Sequence, residues 1–276
     1  MPLNYWGKAI LKKIRALIFS KPNSFSQDVP RPESLRQRMV LSGISEYPRR
    51  HYDEEDLARA ALRIVDDYTM TSYERMVTLW QQVRYLDRAG IAGSLVECGT
   101  WRGGAMGMMA LAHLASGPPN RTLHLFDSFE GLPEPDGAKD CKIAVDYAKG
   151  RASGALQSIG RCVGPLEDNQ RLLGEIIGYP EALTEYHVGW FQDTVQAAAS
   201  EMEAIALLRL DGDWYESTKI CLESLSPKVS SGGIVIIDDY GKFPGCRQAA
   251  DEFVARMSRP VFLSHIDAAG RYYIVP

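Results

Sequence analysis

The sequence predicts an α/β protein with a mostly parallel sheet, helices on both faces and a C-terminal antiparallel hairpin. Short apolar runs recur at SLVEC (94–98), TLHLF (122–126), TEYHV (184–188), IALLRL (205–210) and GIVII (233–237). Stretches of helical character and length separate most of them, the pattern of parallel strands joined by helical crossovers. The end of the chain breaks this rhythm. PVFLSHI and RYYIV are separated only by Asp267-Ala268-Ala269-Gly270, a link short enough for an antiparallel hairpin. Five βα units closed by a hairpin describe a Rossmann-like sheet, in which ligands bind beyond the carboxyl ends of the strands at the topological switch point.

The elements before the sheet are of a different kind. Over residues 1–28, Ile10, Leu11, Ile14, Leu17 and Ile18 share one helical face, with Lys8, Lys12, Lys13 and Arg15 interleaved. Those charges interrupt the apolar core that a signal peptide requires. Two readings of this amphipathic helix stay open. It packs on the body or on a second subunit of a homo-oligomer, or it lies on an anionic membrane surface. Residues 29–92 form a helical cap region: a polar tether punctuated by Pro30 and Pro32, then helices over 54–68 and 72–89. Thr71 or Ser72 caps the second, and Leu79, Val83 and Leu86 give it a buried face. Residues 93–276 hold the sheet, with a lid over about 133–178.

Composition narrows the class. A net charge of −4 gives no global electrostatic reason to expect nucleic acid. No stretch is long enough to span a bilayer. The five cysteines are scattered without a CxxC or Cys/His cluster, so they read as reduced thiols of a cytoplasmic protein rather than a disulfide framework.

The residues just after each strand carry the functional signal. After the first comes VECGTWRGG, whose Gly99, Gly103 and Gly104 permit a tight turn into a helix and a close backbone approach. Its spacing is neither Gly-x-Gly-x-x-Gly nor a P-loop. After the second comes Asp127, placed either to accept hydrogen bonds from ribose hydroxyls or to cap the strand. After the third, GWFQDT offers Gln192 to an adenine edge, with Trp190 or Phe191 to pack on the base. After the fourth and fifth come Asp211, then Asp238 and Asp239. Three carboxylates at one edge repel each other and favour a hard divalent cation such as Mg²⁺; read singly, each could be a helix cap. Their repulsion predicts that Asn at 238 or 239 leaves the metal-free fold as stable or more so.

The motifs VECGTWRGG, LFDSFEGLPEPD, LLRLDGDWYEST and GGIVIIDDYGKFPGCRQAADEF occur in this order, and with YTMTSYERM they carry a resemblance from about Tyr68 to the C-terminus. The chain resembles the TylF/MycF family of macrocin- and mycinamicin-type sugar O-methyltransferases, class I S-adenosylmethionine-dependent enzymes. The resemblance implies that Asp211, Asp238 and Asp239 bind Mg²⁺. It also implies that Glu97, Gly99, Gly103, Asp127, Ser128, Gln192, Asp193 and Asp211 hold the cofactor, and that Thr69, Met70 and Thr71 close over its methionine end. Catechol-type relatives place a lysine three residues after the first metal Asp, where this chain has Trp214. Some sugar enzymes use a histidine on the mobile loop, and residues 131–181 contain none. Asp211 is then the first candidate base and His187 the second. Trp101, Trp214 and Tyr215 are candidates for an apolar wall around the acceptor, each also a good core residue.

The expected activity is Mg²⁺- and S-adenosylmethionine-dependent methylation of a sugar hydroxyl on a natural-product glycoside or polysaccharide. A phenol- or catechol-type O-methyltransferase is the alternative enzyme. A non-catalytic cofactor-binding protein of a biosynthetic complex is the rival of another class.

Overall fold

The computed structural model describes residues 47–276; the expected helix over 1–28 and the tether up to residue 46 lie outside the described residues. The described chain starts with two helices, α1 (Glu55–Val65) and α2 (Tyr73–Ala89). A single 3₁₀ turn, Asp66–Tyr68, fills out the span expected for the first. Ser72 caps α2 by accepting the Arg75 N–H, and Gly90 ends it in the left-handed conformation, φ +66°.

The sheet has seven strands: β1 (Ser94–Cys98), β2 (Leu123–Asp127), β3 (Thr184–Val188), β4 (Ile205–Leu210), β5 (Val229–Ile237), β6 (Ser264–His265) and β7 (Arg271–Ile274). Their order is β3-β2-β1-β4-β5-β7-β6. The first five are parallel, and β7 runs antiparallel between β5 and β6. The chain moves outward from β1 through β2 to β3 and then returns to β4. The switch point therefore lies between β1 and β4, as the alternation of elements predicts. The hairpin forms too, although only Ser264 and His265 of PVFLSHI pair with β7. Asp267 fixes its turn by accepting the N–H groups of Ala269 (2.9 Å) and Gly270 (2.7 Å).

Strand alternation sends side chains into two cores. Leu95, Leu123, Leu125, Leu207, Ile234 and Ile236 pack under α1, α2 and the central helix α3 (Gly104–Leu114). Every residue of α3 is buried, as its nearly all-apolar sequence GAMGMMALAHL requires. On the other face Val96, Cys98, Phe126, Leu208, Val235 and Ile237 form the second core.

The span expected as a lid divides in two. Its first part carries the short helix α4 (Lys142–Tyr147) and is folded on itself, with Arg151 Nε donating to Glu134 Oε1 at 2.7 Å. Its second part, α5 (Leu166–Gln170), runs on as a π-helical stretch to Ile177 and buries Leu172, Leu173 and Ile177 in the core under α1 and α3. Three apolar side chains on one helical face belong to the body, so only the first part can cover a site. The remaining helices, α6 (Phe191–Glu201), α7 (Tyr215–Leu225) and α8 (Pro244–Ala255), pack on the second core. Among the described residues no helix is long and apolar enough to cross a membrane.

Candidate active site at the carboxyl edge of the sheet

A cleft opens at the switch point and takes its walls from four strand ends. The turn after β1 gives Gly99 and Trp101, the end of β2 gives Asp127 and Ser128, the β3–α6 turn gives Gly189 to Gln192, and the end of β4 gives Asp211 to Asp213. Gly99 is needed where it stands: φ is +88°, and a Cβ there would sit 1.9 Å from the Asp211 carbonyl oxygen. Gly103, at φ +87°, makes room for Asn169 of α5 instead of lining the cleft. Trp101 takes a left-handed φ of 48° and donates its Nε1 proton to the Val163 carbonyl at 3.0 Å, tying the lid to the first turn.

The residues expected at the cofactor separate into two sets. Met70, Gly99, Asp127, Ser128, Gln192 and Asp211 line the cleft. Thr69, Thr71, Glu97 and Asp193 do not. Thr71 Oγ1 accepts from Arg209 at 3.3 Å, Thr69 Oγ1 accepts the Thr71 N–H at 3.0 Å, and Asp193 stands exposed on the first turn of α6. Asp127 performs the cap role left open beside the ribose role. Its Oδ2 accepts the N–H groups of Thr100 (2.8 Å) and Trp101 (2.9 Å), and its Oδ1 accepts that of Phe129 (2.7 Å). A carboxylate has lone pairs beyond these three, so it can hold the loop and still face a ligand.

Beside this cleft lies a dense set of buried charges. Arg209, one residue before the end of β4, points into an ion-pair cluster. It donates to Glu97 Oε1 at 2.6 Å and Asp211 Oδ2 at 2.9 Å, and lies 2.8 Å from Asp238 Oδ1. Arg75 of α2 binds Asp238 Oδ2 and donates to Asp267 Oδ2 at 2.8 Å. One guanidinium shared by three carboxylates cannot keep all of them fully ionised. Burial pushes the Glu97 carboxyl up to about 8 despite Arg209.

The expected carboxylate trio is thereby split. Asp211 and Asp239 remain together and are joined by Asp213, with one carboxylate oxygen of each within 4.8 Å of the others. Asp238 is drawn toward the two arginines, although its Oδ1 forms no aligned hydrogen bond. Asp239 Oδ2 is buried with no partner at all. Burial raises Asp239 well above the usual carboxylate range, and the charges of Asp213, Asp211 and Asp238 add to it. Burial and the Asp211 charge push Asp213 up to about 7. Burial also acts on Asp211, but Arg209 and a hydrogen bond with Asp239 offset it and hold that group below its ordinary value. Without a cation this edge must therefore retain protons near neutral pH. A hard divalent ion with oxygen ligands fits it, because it would replace those protons and satisfy the orphaned oxygens.

Other expected site residues lie elsewhere. Trp214 is buried under the lid, donating Nε1 to the Pro133 carbonyl at 2.9 Å and meeting Phe243 edge-on at 5.0 Å. Tyr215 is buried at the start of α7 and donates its hydroxyl to Glu252 at 2.7 Å. Neither lines the cleft; of the three aromatic wall candidates only Trp101 does. His187 stacks flat on Phe126 with centroids 4.0 Å apart and also stays outside the cleft, so it has no path to an acceptor proton.

Two features of the site had a signal in the sequence that went unread. Asp213 stands two residues after Asp211 in LDGDW. Arg209 interrupts an apolar strand, and a buried guanidinium demands carboxylates around it.

The Macrocin-O-methyltransferase (TylF) family matches residues 42–274. Demethyldecarbamoylnovobiocin O-methyltransferase of Streptomyces niveus is 36% identical over 209 residues, 75% of this chain and 75% of that protein. Mycinamicin III 3''-O-methyltransferase of Micromonospora griseorubida is 32% identical over 216 residues, 75% of this chain and 78% of its own length. Among solved structures, that of the O-methyltransferase NovP superimposes with a TM-score of 0.67 at 28% identity, covering 98% of each chain. The calicheamicin methyltransferase shares the fold, with a TM-score of 0.57 at 22% identity over 92% of this chain and 99% of that one. The chain belongs to the Macrocin-O-methyltransferase (TylF) family and is an S-adenosylmethionine-dependent O-methyltransferase.

Proposed function

We propose that this O-methyltransferase is Mg²⁺-dependent and methylates a sugar hydroxyl of a natural-product glycoside. One observation carries the metal reading: the carboxylates of Asp211, Asp213 and Asp239 converge beside the cleft, and Asp239 Oδ2 has no partner. The acceptor reading is supported by the relatives, which include an 8-demethyl-8-(2,3-dimethoxy-alpha-L-rhamnosyl)-tetracenomycin-C 4'-O-methyltransferase of Streptomyces olivaceus, 35% identical over 207 residues.

The roles divide along the cleft. Gly99, Asp127, Ser128, Gln192 and Met70 bind the cofactor, with Asp127 also fixing the turn that carries Trp101. Asp211, Asp213 and Asp239 would hold the cation, while Asp238 stays with Arg75 and Arg209. A bound Mg²⁺ supplies Lewis acidity and orients the acceptor oxygens. Asp213 takes the acceptor proton. It lines the cleft and would keep one oxygen for the proton while the other ligates the cation, whereas Asp211 is tied to Arg209. This moves the base from the residue that the sequence favours to one two positions later. Arg209 and Arg75 orient Asp211 and Asp238 and connect α2 to the site. Residues 47–92 act as a cap on the 93–276 sheet domain.

The phenol- or catechol-type alternative receives less support, because Trp214 occupies the lysine position and is packed beneath the lid. Assaying methyl transfer to a deoxysugar glycoside and to a catechol, each with Mg²⁺ and with chelator, tests the proposal. Turnover of the glycoside that requires Mg²⁺ is expected. Preference for catechol would overturn the acceptor assignment, and full activity in chelator would overturn the metal assignment.

A further inference from the structure

A second cluster of metal-ligating side chains lies outside the cleft, at the outer edge of the sheet. His124 is in β2, and Glu185 and His187 are in the edge strand β3; the pairing sets His124 against Glu185 and Phe126 against His187, so all four side chains share one face. His124 Nδ1 lies 3.1 Å from His187 Nε2 and 3.4 Å from Glu185 Oε2, and the third side of the triangle measures 3.9 Å. A tetrahedral zinc ion with ligand bonds of about 2.0–2.1 Å needs its ligand atoms about 3.3 Å apart. Small side-chain adjustments bring these three atoms to that spacing.

We propose that His124, Glu185 and His187 form a zinc-class metal site that staples edge strand β3 to β2. Two imidazole nitrogens and one carboxylate oxygen select zinc and its neighbours among the transition metals, not Mg²⁺. The site is built on strands rather than on loops. The His187 ring is held by its stack on Phe126, and the His124 ring stacks on His187 at 5.4 Å. The facing ring nitrogens share one proton in a hydrogen bond, and a tautomer shift that moves it to the far nitrogen of its ring would free both lone pairs for a metal. The Glu185 side chain is 56% exposed and gives the ion a route in, with an outward position left for water. None of the three lines the cleft, so this ion would serve the sheet edge and not the methyl transfer.

Cobalt(II) is the probe, titrated into the full chain with Mg²⁺ in excess to occupy the all-oxygen edge. One equivalent with the visible absorption of a four-coordinate site, displaced by zinc, is expected. Glu185→Gln should weaken binding at least about tenfold, and His187→Gln should abolish the band. Zinc should raise the unfolding temperature of the wild type more than that of either variant. Should His187→Gln fail to fold, Glu185→Gln decides, since its side chain is mostly exposed. A wild type without a four-coordinate band, or a band unchanged in the Glu185 variant, would overturn the site.

Discussion

Asp238 and Asp239 are neighbours at the end of β5 and are both buried, yet their surroundings are opposite. Asp238 is drawn into a cluster with Arg75 and Arg209, which reaches from α2 across β4 to the hairpin turn through Asp267. Asp239 faces Asp211 and Asp213, with an oxygen that nothing in the protein satisfies. The end of β5 causes the split: Asp238 still pairs with β4, its N–H donating to the Leu210 carbonyl at 2.9 Å, whereas Asp239 lies in the turn that leads away from the sheet. A pair of adjacent carboxylates thus serves two purposes: one is held by the protein's own cations and ties the architecture together, and the other adds an uncompensated carboxylate to the edge beside the cleft.

The largest expected effects break the uncompensated side. Asp239→Asn or Asp213→Asn should lower kcat/KM for methyl transfer by at least about two orders of magnitude, the range for loss of a metal ligand or a general base. Steady-state kinetics with the fold checked by circular dichroism would measure it. The compensated side should respond in stability instead. Arg209→Met should destabilise the fold by about 3–5 kcal/mol, since it leaves buried carboxylates without their cation. Asp238→Asn should cost less than Arg209→Met, because burial and the Asp211 charge already raise the Asp238 proton affinity despite the two arginines, and denaturant melts of both variants would show it. For Asp239→Asn the relief of repulsion still holds, and the metal-free variant should be at least as stable as the wild type.

Smaller effects sharpen the contrast. The Asp213 proton affinity is raised to about 7, above its unfolded value, so the metal-free fold binds an extra proton between about pH 4 and 7. That contribution is present at low pH and is lost as pH rises through about 7. Relative to Asp213→Asn, the metal-free wild type should therefore lose about 2–3 kcal/mol between pH 5 and pH 8. Melts at the two pH values would reveal this, and Mg²⁺ should remove the difference. Across the cleft, Asp127→Ala should weaken S-adenosylhomocysteine binding by about 1.5–3 kcal/mol. The variant also frees the Thr100 and Trp101 amides, so calorimetry should show a larger entropic penalty as the loop is ordered.

Much of this fold could be read before the structure. SLVEC and IALLRL form strands with the bounds that their apolar runs imply, buried at every residue, and TEYHV does so too although as the edge strand it is only partly buried. The glycine at position 99 was legible as a close backbone approach, though its neighbour there, the Asp211 carbonyl, comes from a strand more than a hundred residues away in sequence. The site was legible only as a set of residue types. Apolar periodicity shows where a strand is buried but not which cation a given carboxylate faces, and Arg209 looked like part of an apolar run. Trp214 and Tyr215 follow a strand end as site residues do, yet the start of α7 turns both under the lid.

The carboxylates of Asp211, Asp213 and Asp239 should bind a divalent cation. Calorimetric titration of Mg²⁺ into the S-adenosylhomocysteine complex, repeated in buffers of different ionisation enthalpy, tests it without any acceptor. The account predicts one site whose apparent heat varies with the buffer, because the entering ion displaces protons retained by Asp239 and Asp213. It also predicts that Asp239→Asn loses that site. Absence of binding at millimolar Mg²⁺, or binding that releases no protons and persists in Asp239→Asn, would contradict it.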